Sequence, residues 1–334
     1  MDHLFVSVLL LLCSVAAASS FSGIAAGADG DPLILQVVDD EKGELTLSAE
    51  AHFASFVRRF GKTYADEEER ALRFKVFKAN LHRAARHQRL DPTAIHGVTK
   101  FSDLTPAEFR RAYLGLRRPE AHKSSHEAPV LPTDDLPTDF DWRDYGAVTG
   151  VKNQCDSDEP DACDQGCNGG LMTTAFQYLL KSGGLEREED YPYTGTDRGS
   201  CQFDKSKIAA SVRNFSVISI NEDQIAANLV KHGPLAIGIN SVFMQTYIGG
   251  VSCPYICGRH LDHGVLLVGY GSAGYSPIRL KDKPFWIIKN SWGENWGEHG
   301  YYKICRGRNI CGVDSMVSSV SAIHTQQDHV EILM

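Results

Sequence analysis

Three short stretches carry side chains able to do chemistry: Val151-Lys152-Asn153-Gln154, Leu261-Asp262-His263-Gly264-Val265 and Lys289-Asn290-Ser291-Trp292-Gly293. Singly, each has an ordinary structural reading, since a histidine beside a glycine often sits at a surface and an asparagine often caps or turns. In this order they fit acyl transfer through a thiol. That reaction needs a base to take the thiol proton, a side chain to orient the base, and a donor for the oxyanion. His263 is the candidate base, Asn290 the orienting amide and Gln154 the oxyanion donor. Trp292 would cover the His–Asn hydrogen bond from water. The set calls for no metal or organic cofactor.

The elements that must hold these residues are strands. Residues 235–239, 264–270, 285–289 and 300–305 are β-rich runs bounded by glycines, and they follow the Gly233-Pro234 break. Ahead of them, Ala175, Phe176, Leu179 and Leu180 form a short helical stripe stopped by Gly183-Gly184. Helix early and antiparallel sheet late predict an α+β domain.

The N-terminal third is patterned as helix. Phe53, Phe56, Val57 and Phe60 fall at i, i+3, i+4 and i+7, one apolar stripe. Asp66 with Glu69 three residues on marks a helix start, and Phe74, Phe77, Leu81 and Ala84 continue the pattern. Thr105, Pro106 and Glu108 predict a capping box with proline at the first helical position. Residues 117–139 hold four prolines and no periodicity, which predicts an exposed linker open to proteases.

The chain has 334 residues, 43% of them apolar, and a net charge of −8, which argues against general nucleic-acid binding. Leu9 to Leu12 lie in an apolar run that ends at Ala16-Ala17-Ala18, the pattern of a cleaved signal peptide too short to span a bilayer. Entry to the secretory pathway follows, with a vacuole, a lysosome-like compartment or the extracellular space as destination, and no membrane anchor. Cys13 leaves with the signal, and disulfides are the default for the other cysteines. Asn214-Phe215-Ser216 is a glycosylation sequon.

From about Phe53 to about Ser321 the chain resembles the papain family of cysteine proteases, in its plant cathepsin F-like branch. Glu69, Arg73, Phe77, Asn80, Ala84 and Gln88 reproduce the spaced motif of such propeptides. Gly97-Val98-Thr99-Lys100-Phe101-Ser102-Asp103 resembles the second propeptide motif, with Thr99 where many relatives have Asn, and Asp141-Trp142-Arg143 resembles the start of a mature enzyme. The resemblance implies a two-lobed fold, a helical lobe and an antiparallel β lobe, behind a helical propeptide. Gly169 and Gly170, within Gly166-Cys167-Asn168-Gly169-Gly170, would bind extended substrate backbone. Met172 and Met316 would line the main specificity pocket, or else belong to the core. The implied partners are peptide or protein substrates and the chain's own propeptide. The expected organisation is signal peptide 1–20, flexible leader 21–47, inhibitory propeptide 48–115, activation linker 116–135 and peptidase domain 136–334.

One part of the pattern is absent. The family places its nucleophile a few residues after the oxyanion glutamine, in Cys-Gly-Ser-Cys-Trp at the start of a long helix, and no such stretch occurs here. Gln154 and His263 stand 109 residues apart, against roughly 130–150 between nucleophile and His or Asn in papain-like enzymes. A block of several tens of residues is therefore expected to be missing after Gln154, leaving the helical lobe incomplete and the chain inactive. Cys155 is a poor substitute, because Asp156, Asp158, Glu159, Asp161 and Asp164 disfavour a thiolate.

By resemblance Cys155 pairs with Cys163, Cys253 with Cys305 and Cys257 with Cys311, while the partners of Cys167 and Cys201 fall in the missing block. A zinc site at Cys155, Cys163, Cys167 and Cys201 lacks paired Cys-x-x-Cys knuckles. Two rivals to an inactive protease remain. The propeptide could make the chain an inhibitor of active relatives, or Cys155 could serve as nucleophile.

Overall fold

The computed structural model describes residues 49–116, 126–154, 169–195, 200–276 and 281–324. The expected signal peptide and leader, and the expected Cys155–Cys163 bridge, lie outside them.

The N-terminal helices form as their capping chemistry dictates. Helix α1 (Ala49–Arg59) turns Phe53 and Phe56 inward. Helix α2 (Glu67–Leu90) starts at Asp66, whose side chain accepts from the Glu69 N–H, while Glu69 accepts from the Ala65 N–H. Helix α3 (Pro106–Tyr113) carries the full Thr105–Glu108 capping box. Phe53, Phe56, Phe77, Leu81, Ala84, Ala85 and Val98 form a small core of their own, each large side chain contributing about 1.5–3 kcal/mol by burial.

The remainder is built on one sheet. Its strands are β1 (Ala94–His96), β2 (Phe140–Asp141), β3 (Ala210–Ile218), β4 (Leu235–Ile239), β5 (Tyr247–Ser252), β6 (His263–Ser276), β7 (Lys281–Lys289), β8 (Tyr301–Cys305) and β9 (Val317–His324). They run in the order β1-β5-β8-β7-β6-β4-β9-β3, with β2 beside β6. The pairs are antiparallel apart from β5 with β8. Alternation in β4 places Leu235, Ile237 and Ile239 in a core shared with Leu267, Trp286, Ile288 and Tyr302. Phe101, Phe109 and Ala94 from the N-terminal segment enter that same core.

Helix α4 (Met172–Ser182) ends at Gly183 in the left-handed region, and α5 (Glu222–His232) is capped by Asn221. Not one α4 residue is buried. Tyr178 is 54% exposed and Leu180 40%.

Residues 126–131 of the expected linker are mostly exposed, and they are also fastened to the fold. Val217 donates to the His126 carbonyl, Ala128 donates to the Val217 carbonyl, and Leu131 exchanges backbone hydrogen bonds with the Gln224 side chain. The edge of β3 has unpaired backbone groups there, and pairing them outweighs the freedom of the chain. Strands β3, β5 and β9 and helix α5 also exceed what periodicity alone picked out.

Candidate active site

Sheet register brings the candidate residues together. His263 opens β6 opposite Ile239 of β4, and Asn290 follows directly on β7, whose Lys289 faces Leu266. The two side chains therefore meet at one end of the β6–β7 pair. His263 Nε2 lies 2.7 Å from Asn290 Oδ1, so the ring donates there and its Nδ1 is left as the basic nitrogen. Trp292 stacks on the imidazole with 4.7 Å between centroids, and both His263 and Asn290 are 3% exposed. Burial pushes the His263 pKa down to about 4, against a smaller upward pull from the Asn290 hydrogen bond.

Gln154 is held on the same loop. Its backbone N–H donates to Ser291 O at 2.7 Å, and its Oε1 accepts from Ser291 Oγ at 2.6 Å. Fixing the amide oxygen in this way turns Nε2 outward, where it donates to Tyr113 O at 3.1 Å. Ser291 gave no signal in the sequence beyond its place beside Asn290.

The N-terminal segment covers this site from above. Phe101 and Phe109 meet Trp292 edge-on at 5.2 Å each, and Tyr113 does so at 6.4 Å. The chain then continues as Gly115-Leu116 between two walls. Gly170 N donates to Gly115 O at 2.9 Å, and Leu116 N donates to Asp262 O at 3.2 Å. Gly169 sits at φ +88°, where a Cβ would fall 2.1 Å from Gly115 O, so only glycine admits this strand. The Leu116 side chain reaches toward Gly238 and Gly264, with Met172, Leu261 and Met316 beside these glycines. The four residues expected to bind substrate thus border one slot, and Gly115-Leu116 fills it.

Cys253 is bonded to Cys305 and Cys257 to Cys311, tying the loop after β5 to β8 and to the turn at Ile310–Gly312. Cys201 is free and exposed. Asn214 lies exposed on β3. Among the described residues, no group of three or more His, Cys, Asp or Glu side chains is arranged to hold a metal ion. No helix there is long and apolar enough to cross a membrane.

A sheet carrying a buried His–Asn pair under a tryptophan, with a helical segment laid across it, defines a cysteine protease precursor of papain type. The chain belongs to the papain family of cysteine proteases, which it matches over residues 154–321, and it carries a cathepsin propeptide inhibitor domain over residues 53–109. It is 62% identical to cysteine proteinase 1 of Zea mays over 371 aligned positions, covering 96% of this chain and 99% of the Zea mays protein. With cysteine proteinase 15A of Pisum sativum it is 54% identical over 374 positions, covering 98% and 100% of the two chains. The fold is similar to digestive procathepsin L2 of Tenebrio molitor, with a TM-score of 0.70 and 28% identity, covering 82% of this chain and 99% of that one.

Proposed function

We propose that this chain is a zymogen-form papain-type protein that keeps the base apparatus of the family but has lost the segment bearing the nucleophile, and so does not cleave peptide bonds. The observation that carries this reading is the juxtaposition at Gln154. The His263–Asn290 pair is in hydrogen-bond geometry and Gln154 is clamped to Ser291, yet the next residues are Cys155-Asp156-Ser157-Asp158-Glu159-Pro160, not Cys-Gly-Ser-Cys-Trp. The relatives support a gap. Since 96% of the 334-residue chain is about 320 residues, about 50 of the 371 positions aligned with the Zea mays proteinase have no residue of this chain opposite them. The uncovered face of α4 also fits the loss of a neighbouring helix.

In a complete relative His263 would take the thiol proton and later pass it to the leaving amine. Asn290 would hold the useful tautomer, and Gln154 would donate to the tetrahedral oxyanion. Here neither His263 nor Asn290 can form an acyl-enzyme. Residues 48–115 act as propeptide, and their last residue, Gly115, blocks the slot at Gly169-Gly170 together with Leu116 of the following segment. We assign 116–135 as the activation segment and 136–334 as the internally shortened peptidase domain. Residues 1–20 route the chain to the secretory pathway, where Asn214 is available for glycosylation.

The test is a graft. Inserting the Cys-Gly-Ser-Cys-Trp segment and its helix from the Zea mays relative after Gln154 should give peptide hydrolysis once the propeptide is removed. Changing the grafted cysteine to Ala, or His263→Ala, should abolish it. A grafted, folded chain without activity would overturn the assignment of this site.

A second reading, inhibition of active relatives, is favoured by the propeptide having a core of its own around Phe53, Phe56 and Phe77. Adding the full chain to an active relative separates the two. Dose-dependent inhibition supports this role, and unchanged turnover removes it.

A further inference from the structure

In a chain of net charge −8, helix α2 carries Lys or Arg at seven positions between Arg70 and Leu90, and no Asp or Glu. Two of the seven are neutralised. Arg70 meets Glu67 at 3.8 Å, and Arg73 meets Glu69 at 3.5 Å and Glu108 at 2.8 Å. Of the other five, Lys75, Lys78, Arg86 and Arg89 share one face with His82 among them. Their steps of 3, 4, 4 and 3 residues make a single helical stripe. Phe77, Leu81, Ala84 and Ala85 lie on the opposite side, buried in the propeptide core, so the stripe points away from the fold. Lys75, His82, Arg86 and Arg89 are exposed. Lys78 is half-buried, with its ammonium 4.7 Å from the Phe74 ring centre.

The fold supplies no counter-charge to this face. Among the described residues, Lys75, Lys78, Arg83, Arg86 and Arg110 enter no ion pair. Beside the stripe, burial and then the cations of Arg86 and of Arg110 on α3 hold the Arg83 guanidinium below its ordinary range. Like charges three and four residues apart on a helix repel. The partial negative charge of the helix C-terminus helps Arg89 in the last turn, but it fades long before Lys78. A negative partner from outside the chain would remove the repulsion.

The shape of the stripe narrows the choice of partner. It is about 21 Å long and one side chain wide. Ala79 within it and Ala71 at its start are exposed and too small to enter a lipid layer, whereas a membrane-surface helix brings large apolar side chains. A narrow row of cations fits a chain polymer with a regular negative charge. The secretory routing proposed above favours a polysaccharide over a nucleic acid. We propose that the outer face of α2 is a docking surface for a linear acidic polysaccharide with a carboxylate on each sugar. The polymer lies along Lys75, Lys78, Arg86 and Arg89, and Arg83 and Arg110 widen the surface at the Arg86 end. The precursor binds it, and the peptidase domain freed of its propeptide does not.

This surface belongs to the propeptide and owes nothing to the reading of the catalytic site, so either can fail alone. The probe is a polygalacturonate oligomer of about ten sugars, titrated into the full chain at about 20 mM and about 200 mM salt. Affinity should fall at least about 10-fold between the two, because ion contacts release counterions. A neutral dextran of equal length should not bind. Lys75→Gln with Lys78→Gln and Arg86→Gln should bind the oligomer at least about 10-fold more weakly. Lys181→Gln with Lys205→Gln and Lys231→Gln removes the same charge from exposed sites of the peptidase domain, and should stay within about 2-fold of the unaltered chain. Should the stripe variant fail to fold, lysine acetylation of the unaltered chain decides. The oligomer should then slow labelling of Lys75 and Lys78 and leave Lys181 and Lys205 unchanged. Absence of binding at the lower salt, equal binding by dextran, equal affinity loss in the two variants, unprotected Lys75 and Lys78, or a preference for anionic lipid vesicles over the oligomer would each overturn the proposal.

Discussion

The Gln154 side-chain amide donates to the backbone carbonyl of Tyr113 at 3.1 Å, so the group assigned to hold an oxyanion is occupied by the chain's own propeptide. Two residues further on, Gly115 accepts from Gly170, and the inhibitory segment leaves the site along the wall assigned to substrate.

Leu116→Asp should release this strand. A carboxylate placed toward Gly238, Met172, Leu261 and Met316 would be buried without a partner, at a cost of several kcal/mol. Exchange of the Gly170 and Leu116 amides should quicken at least about 10-fold, while the amides of β4 keep their protection. Unchanged exchange at both sites would mean that Leu116 does not hold the strand.

His263 should titrate near 4 when followed by histidine NMR in the folded chain. Since the folded value lies below the ordinary one near 6.5, the group adds stability above pH 6.5, and that contribution is lost as pH falls toward 4. The total is about 3 kcal/mol. His263→Gln should remove this part of the pH dependence of denaturant unfolding. A His263 value near 6.5 would contradict the burial described for the ring.

The exposed face of α4 should contribute less than the propeptide core. Tyr178→Ser and Leu180→Ser should each cost no more than about 1.5 kcal/mol, since both side chains are only partly covered. Phe77→Ala in the propeptide core should cost about 3–5 kcal/mol. Equal costs at the two places would show that α4 is covered after all.

Alkylation under non-reducing denaturation should leave Cys253, Cys305, Cys257 and Cys311 unlabelled and label Cys201. Removing the Cys257–Cys311 bridge by Cys257→Ala with Cys311→Ala should cost about 2–4 kcal/mol. A Cys201 bonded within the chain to any cysteine other than Cys167 would refute the view that its partner is gone.

Local signals were legible where a single residue type has a single use. Thr105-Pro106 with Glu108 specified a capped helix start, and Gly183 its opposite at the end of α4. His263, Asn290 and Gln154 were legible from order and spacing, and the sheet brings them together. Strand β1 was not. Three residues, Ala94–His96, carry no readable period, and they become a strand only because β5 offers an unpaired edge. His87 was hidden for a similar reason. On α2 it reads as one more polar residue, and its burial comes from Thr246 and Phe243, over 150 positions away. The fastening of residues 126–131 likewise depends on β3 and α5, which alternation had not picked out.

The central claim is the absence of a working nucleophile, and active-site titration of the unaltered chain tests it most directly. After removal of the propeptide, the protein should be incubated with a thiol-directed covalent protease inhibitor, its mass measured, and its turnover of a peptide substrate followed in parallel. The account predicts no hydrolysis above background and no adduct at Cys155, even though His263 and Asn290 stand 2.7 Å apart in working geometry. Stoichiometric labelling of Cys155, with turnover that Cys155→Ala abolishes, would contradict it and make the acidic stretch after Gln154 a nucleophile site.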